Sequence, residues 1–183
     1  DLGSDTATSP ELTVHNVAPE ILSMSLSSAS INEGQSVTVS GTFSDPALGV
    51  PTETFTGTAL WSDGMSTALT IDSDGTFSTT RNFPDDDPAG TAFDLFTVDI
   101  TITDDDAGSD TETSPQLTVN NIDPEIVALS LSAASIDENG SVTLTGSITD
   151  PGLLDSHTIV VQWGPGEGST TIQLAAGVLS FSA

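Results

Sequence analysis

A run of sequence that returns 105 residues later limits what this chain can fold into. Ser9-Pro10-Glu11-Leu12-Thr13-Val14-His15-Asn16 recurs as Ser114-Pro115-Gln116-Leu117-Thr118-Val119-Asn120-Asn121, 105 positions on. The same register carries Pro19-Glu20-Ile21 onto Pro124-Glu125-Ile126, Ile31-Asn32-Glu33 onto Ile136-Asp137-Glu138, and Ser44-Asp45-Pro46 onto Thr149-Asp150-Pro151. A three-residue deletion then aligns Trp61 with Trp163. So long a period exceeds a solenoid unit and suits an independent sandwich domain. Residues 1–13 match 106–118. The reading therefore assigns 1–15 to the last strand of a preceding repeat and 16–120 to a complete repeat. Residues 121–183 become a second repeat lacking its last strands, and both ends are expected to continue into further repeats.

Within the complete repeat, short alternating runs lie between turn signals, the pattern of an all-β domain. The spacing predicts strands over 21–27 (Leu22, Met24 and Leu26 on one face), 36–43 (Val37, Val39 and Phe43 inward), 54–61, 67–72, 76–83, 93–103 and 111–119. The clearest is 93–103, with Phe96, Val98, Ile100 and Ile102 facing in and Thr97, Asp99, Thr101 and Thr103 facing out. About seven strands in about 105 residues, with no helical periodicity, predict a Greek-key β-sandwich. Trp61 and Trp163, late in their strands, are expected between the sheets; a sugar-stacking platform is the functional alternative.

Charge narrows the function. There are 27 acids and a single Lys or Arg, Arg81, for a formal net charge of −26. A disordered acidic tail would have no use for alternating Val, Ile, Leu and Phe, so a folded chain is expected. With no basic patch to meet phosphates, nucleic acid is excluded as a partner. No apolar run is long enough for a membrane-spanning helix. There is no cysteine, hence no disulfide framework. So negative a chain repels itself, and salt or divalent cations outside a cell are the expected screening agents.

The linker Asn-(Val/Ile)-x-Pro-Glu-Ile, the Ile31-Asn32-Glu33 turn and the Asp-Pro pair after the second strand resemble those of the PKD and PKD-like repeats of bacterial and archaeal surface proteins. Trp61-Ser62-Asp63-Gly64 resembles that family's Trp-Gly-Asp-Gly turn, and Thr103-Asp104-Asp105-Asp106-Ala107-Gly108 its Thr-Asp-Asp-x-Gly hairpin. The second repeat departs at Trp163-Gly164-Pro165-Gly166, where Pro165 replaces the turn Asp. The resemblance implies tandem Ig-like (PKD-like) Greek-key sandwiches, secreted or cell-surface, with a spacer or adhesive role and no catalysis. It also implies a calcium site from Asn16, Asp45 and Asp104 or Asp106, and in the second repeat from Asn121 and Asp150.

Strand topology sorts the acids into two ends. Asn16, Asp45 and the Asp104 to Asp106 hairpin fall at the top of the complete repeat. Glu33, Asp63, the Asp85-Asp86-Asp87 loop and the linker Asn120-Asn121 fall at the bottom. In a tandem array the bottom of one repeat abuts the top of the next, so Glu33 and the Asp85-Asp86-Asp87 loop (Asp85 and Asp87 as the chosen ligands) are expected to approach Asn121, Asp123 and Asp150. Clustered carboxylates and Asn suit calcium, a hard cation taking six to eight oxygens. Two His and no Cys argue against zinc or copper. Solvated loop acidity is the plain alternative. A glycosidase pair would need a cleft, which exposed end-loops do not offer. His15 and His157 are expected on the surface, outside any triad. The reading is thus a non-enzymatic stalk or fibre segment. Its partners are neighbouring repeats, copies of itself in a fibre and a surface glycan; the alternative is a carbohydrate- or substrate-binding accessory module of a secreted hydrolase.

Overall fold

The computed structural model describes residues 2–87 and 90–183 and is all-β, with no helix among them. The first unit comprises β1 (Glu20–Leu26), β2 (Ser30–Asn32), β3 (Ser36–Ser44), β4 (Phe55–Trp61), β5 (Ser66–Ala68), β6 (Thr70–Ile71), β7 (Thr76–Asn82), β8 (Phe93–Phe96), β9 (Val98–Asp104), β10 (Ser109–Thr113) and β11 (Leu117–Asn120). The second comprises β12 (Glu125–Leu131), β13 (Leu144–Thr149), β14 (His157–Gln162), β15 (Ser169–Leu174) and β16 (Ser180–Ser182). Residues 2–19 carry no strand. Their counterpart in the first unit, β10 and β11, is held by ladders to β9, β2 and β8 that have no equivalent beside residues 2–19.

Two four-stranded sheets, β1-β3-β7-β6 and β10-β9-β4-β5, face each other, with β2-β11-β8 beside them. Their inner faces bury Val37, Val39, Phe43, Ala59, Trp61, Phe77, Phe83, Phe96, Val98, Ile100, Ile102, Leu117 and Val119 in one cluster. Trp61 is part of it and has no face to offer a sugar. Three of the expected strands divide, each for a local reason. Residues 93–103 break at Thr97, whose N–H and C=O turn to Ser62 (Thr97 N to Ser62 Oγ 3.2 Å, Ser62 N to Thr97 O 2.9 Å). This sends β8 to β11 and β9 to β4 and β10. Residues 111–119 break before Pro115, which has no N–H to give a ladder; Ser114 Oγ accepts from Val98 N there (3.0 Å). Residues 67–72 break at Leu69, so that β5 joins β4 in one sheet and β6 joins β7 in the other.

The first strand corrects one expectation. A bulge between Ile21 and Ser23 buries Ile21 and turns Leu22 out to 58% exposure, while Met24 and Leu26 remain half-buried. An extra residue in one strand reverses the side-chain alternation at that point. The same bulge recurs between Ile126 and Ala128, in the same register against β13. The second unit thus repeats the local pairing of the first. It has no counterparts of β8 to β11 within the 183 residues, and Ile126, Val127, Leu129 and Leu131 of β12 are all more than half exposed. Its core is Ile148, Leu174 and Phe181, with Leu144, Ile159 and Ile172 against it.

Glycine sets the spacing in both units. A Cβ on Gly41 would lie 2.1 Å from Ser23 O and 2.3 Å from Phe77 Cζ, and one on Gly146 would lie 2.3 Å from Phe181 Cζ. Each absent side chain makes the space that an aromatic ring from the neighbouring strand fills. Gly41→Ala is expected to destabilise the first unit by about 1–3 kcal/mol through overpacking, read as a lower denaturation midpoint at unchanged slope.

The one Arg is spent inside this frame. Arg81 lies over Phe83 (4.3 Å to the ring centroid), Trp61 (5.0 Å) and Phe96 (5.6 Å), and its guanidinium is bonded through both terminal nitrogens to Asp63. Burial, the largest single influence, would raise the Asp63 carboxyl, but the bonds from Arg81 and the Met65 N–H together with the Arg81 charge outweigh it and hold Asp63 below the usual carboxylate range. Arg81→Met keeps the stem but loses the pair and the stacked cation. It is expected to cost about 1–2 kcal/mol, measured by thermal denaturation at pH 7.

Candidate metal centre

The second unit begins where the first presents its lower loops. The turn after β2 is pinned by Glu33 N to Asn120 O (2.9 Å) and Gly34 N to Phe83 O (2.7 Å), so the end of β11 and the loop after β7 fix where Glu33 points. Gly34 adopts φ +76°, and a Cβ there would stand 3.3 Å from Pro151 Cβ of the second unit. Leu153 N donates to Pro84 O (3.1 Å), and Ile122 N donates to Glu33 Oε1 (2.8 Å). Two hydrogen bonds therefore tie the first unit to the linker and the second unit beside one glutamate, with Pro151 close against Gly34.

Carboxylates from both sides converge on it. Glu33 and Asp85 are each 2% exposed, Asp86 0% and Asp150 7%, and Asp155 is half-buried. Ligand-bearing oxygens of Glu33, Asp150 and Asp155 lie within 4.8 Å of one another, as do those of Glu33, Asp85 and Asp86. Glu33 Oε2, both oxygens of Asp85 and Oδ1 of Asp86 are buried with no hydrogen-bond donor reaching them. Asp150 is satisfied: Gly152 N donates to its Oδ1 (2.8 Å), and His157 Nε2 lies 2.9 Å from its Oδ2.

Buried like charges raise carboxyl pKa values. Glu33 is pushed up to about 7, chiefly by burial, with bonding to Asp85 and the charges of Asp155 and Asp150 adding to it and the Ile122 N–H opposing. Burial also raises Asp85, Asp86 and Asp155, helped by the charges of neighbouring acids, although bonding to Glu33 opposes it at Asp85. The carboxyls of Glu33 and Asp85 can bond each other only through a shared proton. The sign of the pH effect follows. A carboxyl whose folded pKa lies above its unfolded value takes up protons on folding, so stability is present at low pH and is lost as pH rises through the folded value. In chelator, the melting temperature is expected to fall between about pH 5 and pH 8. Glu33→Gln keeps the acceptor for Ile122 N and adds a donor toward Asp85. It should flatten that fall and melt above the native chain at pH 8.

The far end of the first unit holds a second acidic group. Asp104 is buried, its Oδ2 accepting from Asn16 Nδ2 (2.8 Å) and its Oδ1 from Gly108 N (2.6 Å). Asp45 accepts from Ala47 N (2.7 Å) through Oδ1, while its Oδ2 and Glu53 Oε1 are buried without a donor. Glu53 is pushed up to about 7, first by its bonding to Asp105, then by burial and by the charges of Asp105, Asp45 and Asp104.

Of the acids and amides singled out in the sequence, Glu33, Asp85 and Asp150 come together at the junction, and Asn16, Asp45 and Asp104 lie at the opposite end. Asp87, Asp106 and Asp123 face solvent, and Asn121 is half-buried in the linker. Sequence reasoning named Asp86 and Asp105 only as members of their loops, not as ligands, and left out Asp155 and Glu53. Asp155 had a signal: it stands 102 residues after Glu53, the spacing that relates Trp163 to Trp61. His157 is a correction. It is not on the surface but 6% exposed, drawn in because the loop after β13 brings Asp150 back against the start of β14.

No family model matches the chain, and no curated protein does. Among solved structures it is similar to a 1.5-MDa bacterial ice-binding adhesin, described for its retention at the host cell surface, at 13% identity and a TM-score of 0.39. The match covers 92% of this chain and 54% of that one, so the chain spans about half of that structure's length. A likeness so slight assigns no function.

Proposed function

We propose that this chain is a structural or adhesive module of an extracellular tandem-repeat protein, a stalk or fibre-forming segment stiffened by calcium at the joints between repeats. The supporting observation is the junction itself: Glu33 of the first unit bonds the linker at Ile122 N, amid buried acids of both units with no Lys or Arg among them. An all-oxygen carboxylate environment suits a hard cation. Bare, the same acids repel and let the units part. The short linker Asn121-Ile122-Asp123-Pro124 favours a limited set of orientations, because Pro124 restricts the residue before it to extended conformations. PKD-like membership, secretion and the absence of catalysis belong to the same proposal, resting on the linker and hairpin motifs and on the end-loop location of the acids. Neighbouring repeats are the first partners, with copies of the chain in a fibre and surface glycans beyond them.

Two measurements test this. Small-angle scattering of the 183-residue chain should give a narrower, longer distance distribution in calcium than in chelator, and identical curves would refute the stiffened stalk. For a site of Kd about 10⁻⁴ M, millimolar calcium should stabilise the folded chain by about 1.4 kcal/mol. Sodium at equal ionic strength should do less; equal rescue would reduce the effect to general screening.

A further inference from the structure

We propose that Glu33, Asp85 and Asp86 of the first unit and Asp150 and Asp155 of the second form one divalent-cation centre whose ligands come from both units, so that the ion itself joins them. This deepens the stiffened-stalk reading and rests on it for its purpose, but not for its chemistry. It shares only Asp150 with the set that the sequence resemblance implied, which joined Asp150 to Asn121 in the second repeat and placed Asn16, Asp45 and Asp104 at the opposite end.

Distance makes the first argument. Calcium–oxygen bonds of 2.3–2.6 Å place opposite ligands roughly 4.6–5.2 Å apart across the coordination sphere. The oxygens of Glu33, Asp150 and Asp155 fall within 4.8 Å of one another, and those of Glu33, Asp85 and Asp86 fall within the same limit. Magnesium demands a near-regular octahedron at 2.0–2.1 Å and dehydrates reluctantly, so carboxylates gathered irregularly from two units suit the larger ion better. Zinc is disfavoured, since the one imidazole at hand already has its Nε2 against Asp150.

Orphaned oxygens make the second. Asp85, 2% exposed, has no protein donor at either carboxylate oxygen, and Glu33 Oε2 and Asp86 Oδ1 are buried in the same condition, so that only a proton shared between Glu33 and Asp85, or a cation, can serve them. Buried polar atoms are nearly always satisfied, and a set left open together in one place points to a missing cation. At the far end Asp104 has both oxygens bonded by Asn16 and Gly108, and among the described residues only Asp45 Oδ2 and Glu53 Oε1 are left open there.

The wall of the centre makes the third. A Cβ on Gly152 would lie 2.6 Å from Glu33 Oε2 and 2.6 Å from Asp155 Oδ2. Only glycine at this buried position lets the acids of the two units close on the same space. Asp150 contributes from beside it, oriented by Gly152 N and His157 Nε2, as outer partners commonly orient metal-ligating carboxylates.

The test is calorimetric titration of the whole chain with calcium chloride, and separately with magnesium chloride, for the native sequence and for Glu33→Gln, Asp155→Asn and the exposed control Asp137→Asn. Glu33→Gln and Asp155→Asn should each remove the same binding event, weakening it at least tenfold. Asp137→Asn should leave it unchanged, and magnesium should bind at least tenfold more weakly than calcium. Asp155 is half-buried, so its variant remains informative if Glu33→Gln disturbs folding, which circular dichroism reads directly. Binding unaffected by either variant, or two events lost separately, would overturn the shared centre. Scattering on the same samples separates the two readings. Loss of binding in Asp155→Asn with stiffening retained refutes the ion as the joint. Normal binding with no change in shape leaves the centre standing and refutes the stiffened stalk.

Discussion

A carboxylate taken out of water needs a donor, a base, a proton or a metal, and this chain has almost no bases to supply. Its 27 acids share one Arg, and Arg81 is already committed to Asp63 and to three aromatic rings. Every other buried acid must be satisfied by N–H groups, by protons or by something from solution. The effective penalty for burying an unpaired charge is several kcal/mol, and a domain's whole stability is about 5–15 kcal/mol. Several bare charges at one junction are therefore not affordable at neutral pH. Either protons stay on, as the raised Glu33 value near 7 indicates, or a cation replaces them.

The two ends of the first unit answer the same demand differently. At the far end the hairpin after β9 folds back on Asp104, so that Gly108 N and the Asn16 amide occupy both of its oxygens. At the junction backbone N–H groups reach Glu33 and Asp150 but leave both oxygens of Asp85 open. Ile122 N takes one oxygen of Glu33, and the loop carrying Asp85 and Asp86 turns both acids inward instead of offering donors. Asp104 is closed by its own hydrogen bonds with single oxygens of Asp45 and Glu53 left open beside it, whereas the junction keeps four buried carboxylate oxygens open together.

The sheets were legible because period-2 alternation and the 105-residue repeat report burial directly, and the alternation of Phe96, Val98, Ile100 and Ile102 survives intact. What alternation cannot show is where a backbone N–H leaves its ladder. Thr97 turning to Ser62, and the bulge that expels Leu22, depend on partners 35 residues away and on the neighbouring strand, not on local pattern. The acidic ends were legible for a related reason: strand direction alone assigns each turn to the top or bottom. Which acids are buried was not. Asp86 and Asp87 are adjacent and chemically identical, yet one is fully buried and the other exposed, a choice made by the path of the loop. His157 reads as a strand residue until Asp150, seven positions earlier, is seen to return to it.

The second unit gives the junction a further consequence. Asp150 follows β13, which belongs to the β12-β13-β16 sheet, whereas His157 opens β14, which pairs only with β15. The loop between them is one of two connections that join the sheets of that unit, the other running from β15 to β16. The core beneath it is small, Ile148, Leu174 and Phe181 with three half-buried neighbours. The hydrogen bond from His157 to Asp150 thus clamps the sheets at their top edge, while Leu153 N holds the same loop to Pro84 O of the first unit. A ligand drawing Asp150 and Asp155 toward Glu33 would tighten the sheets within the second unit as well as the joint between the units. Cation affinity and the stability of the second unit are then linked quantities: binding to the folded form alone must stabilise it by mass action. Loss of the core beneath the loop must in turn weaken the centre.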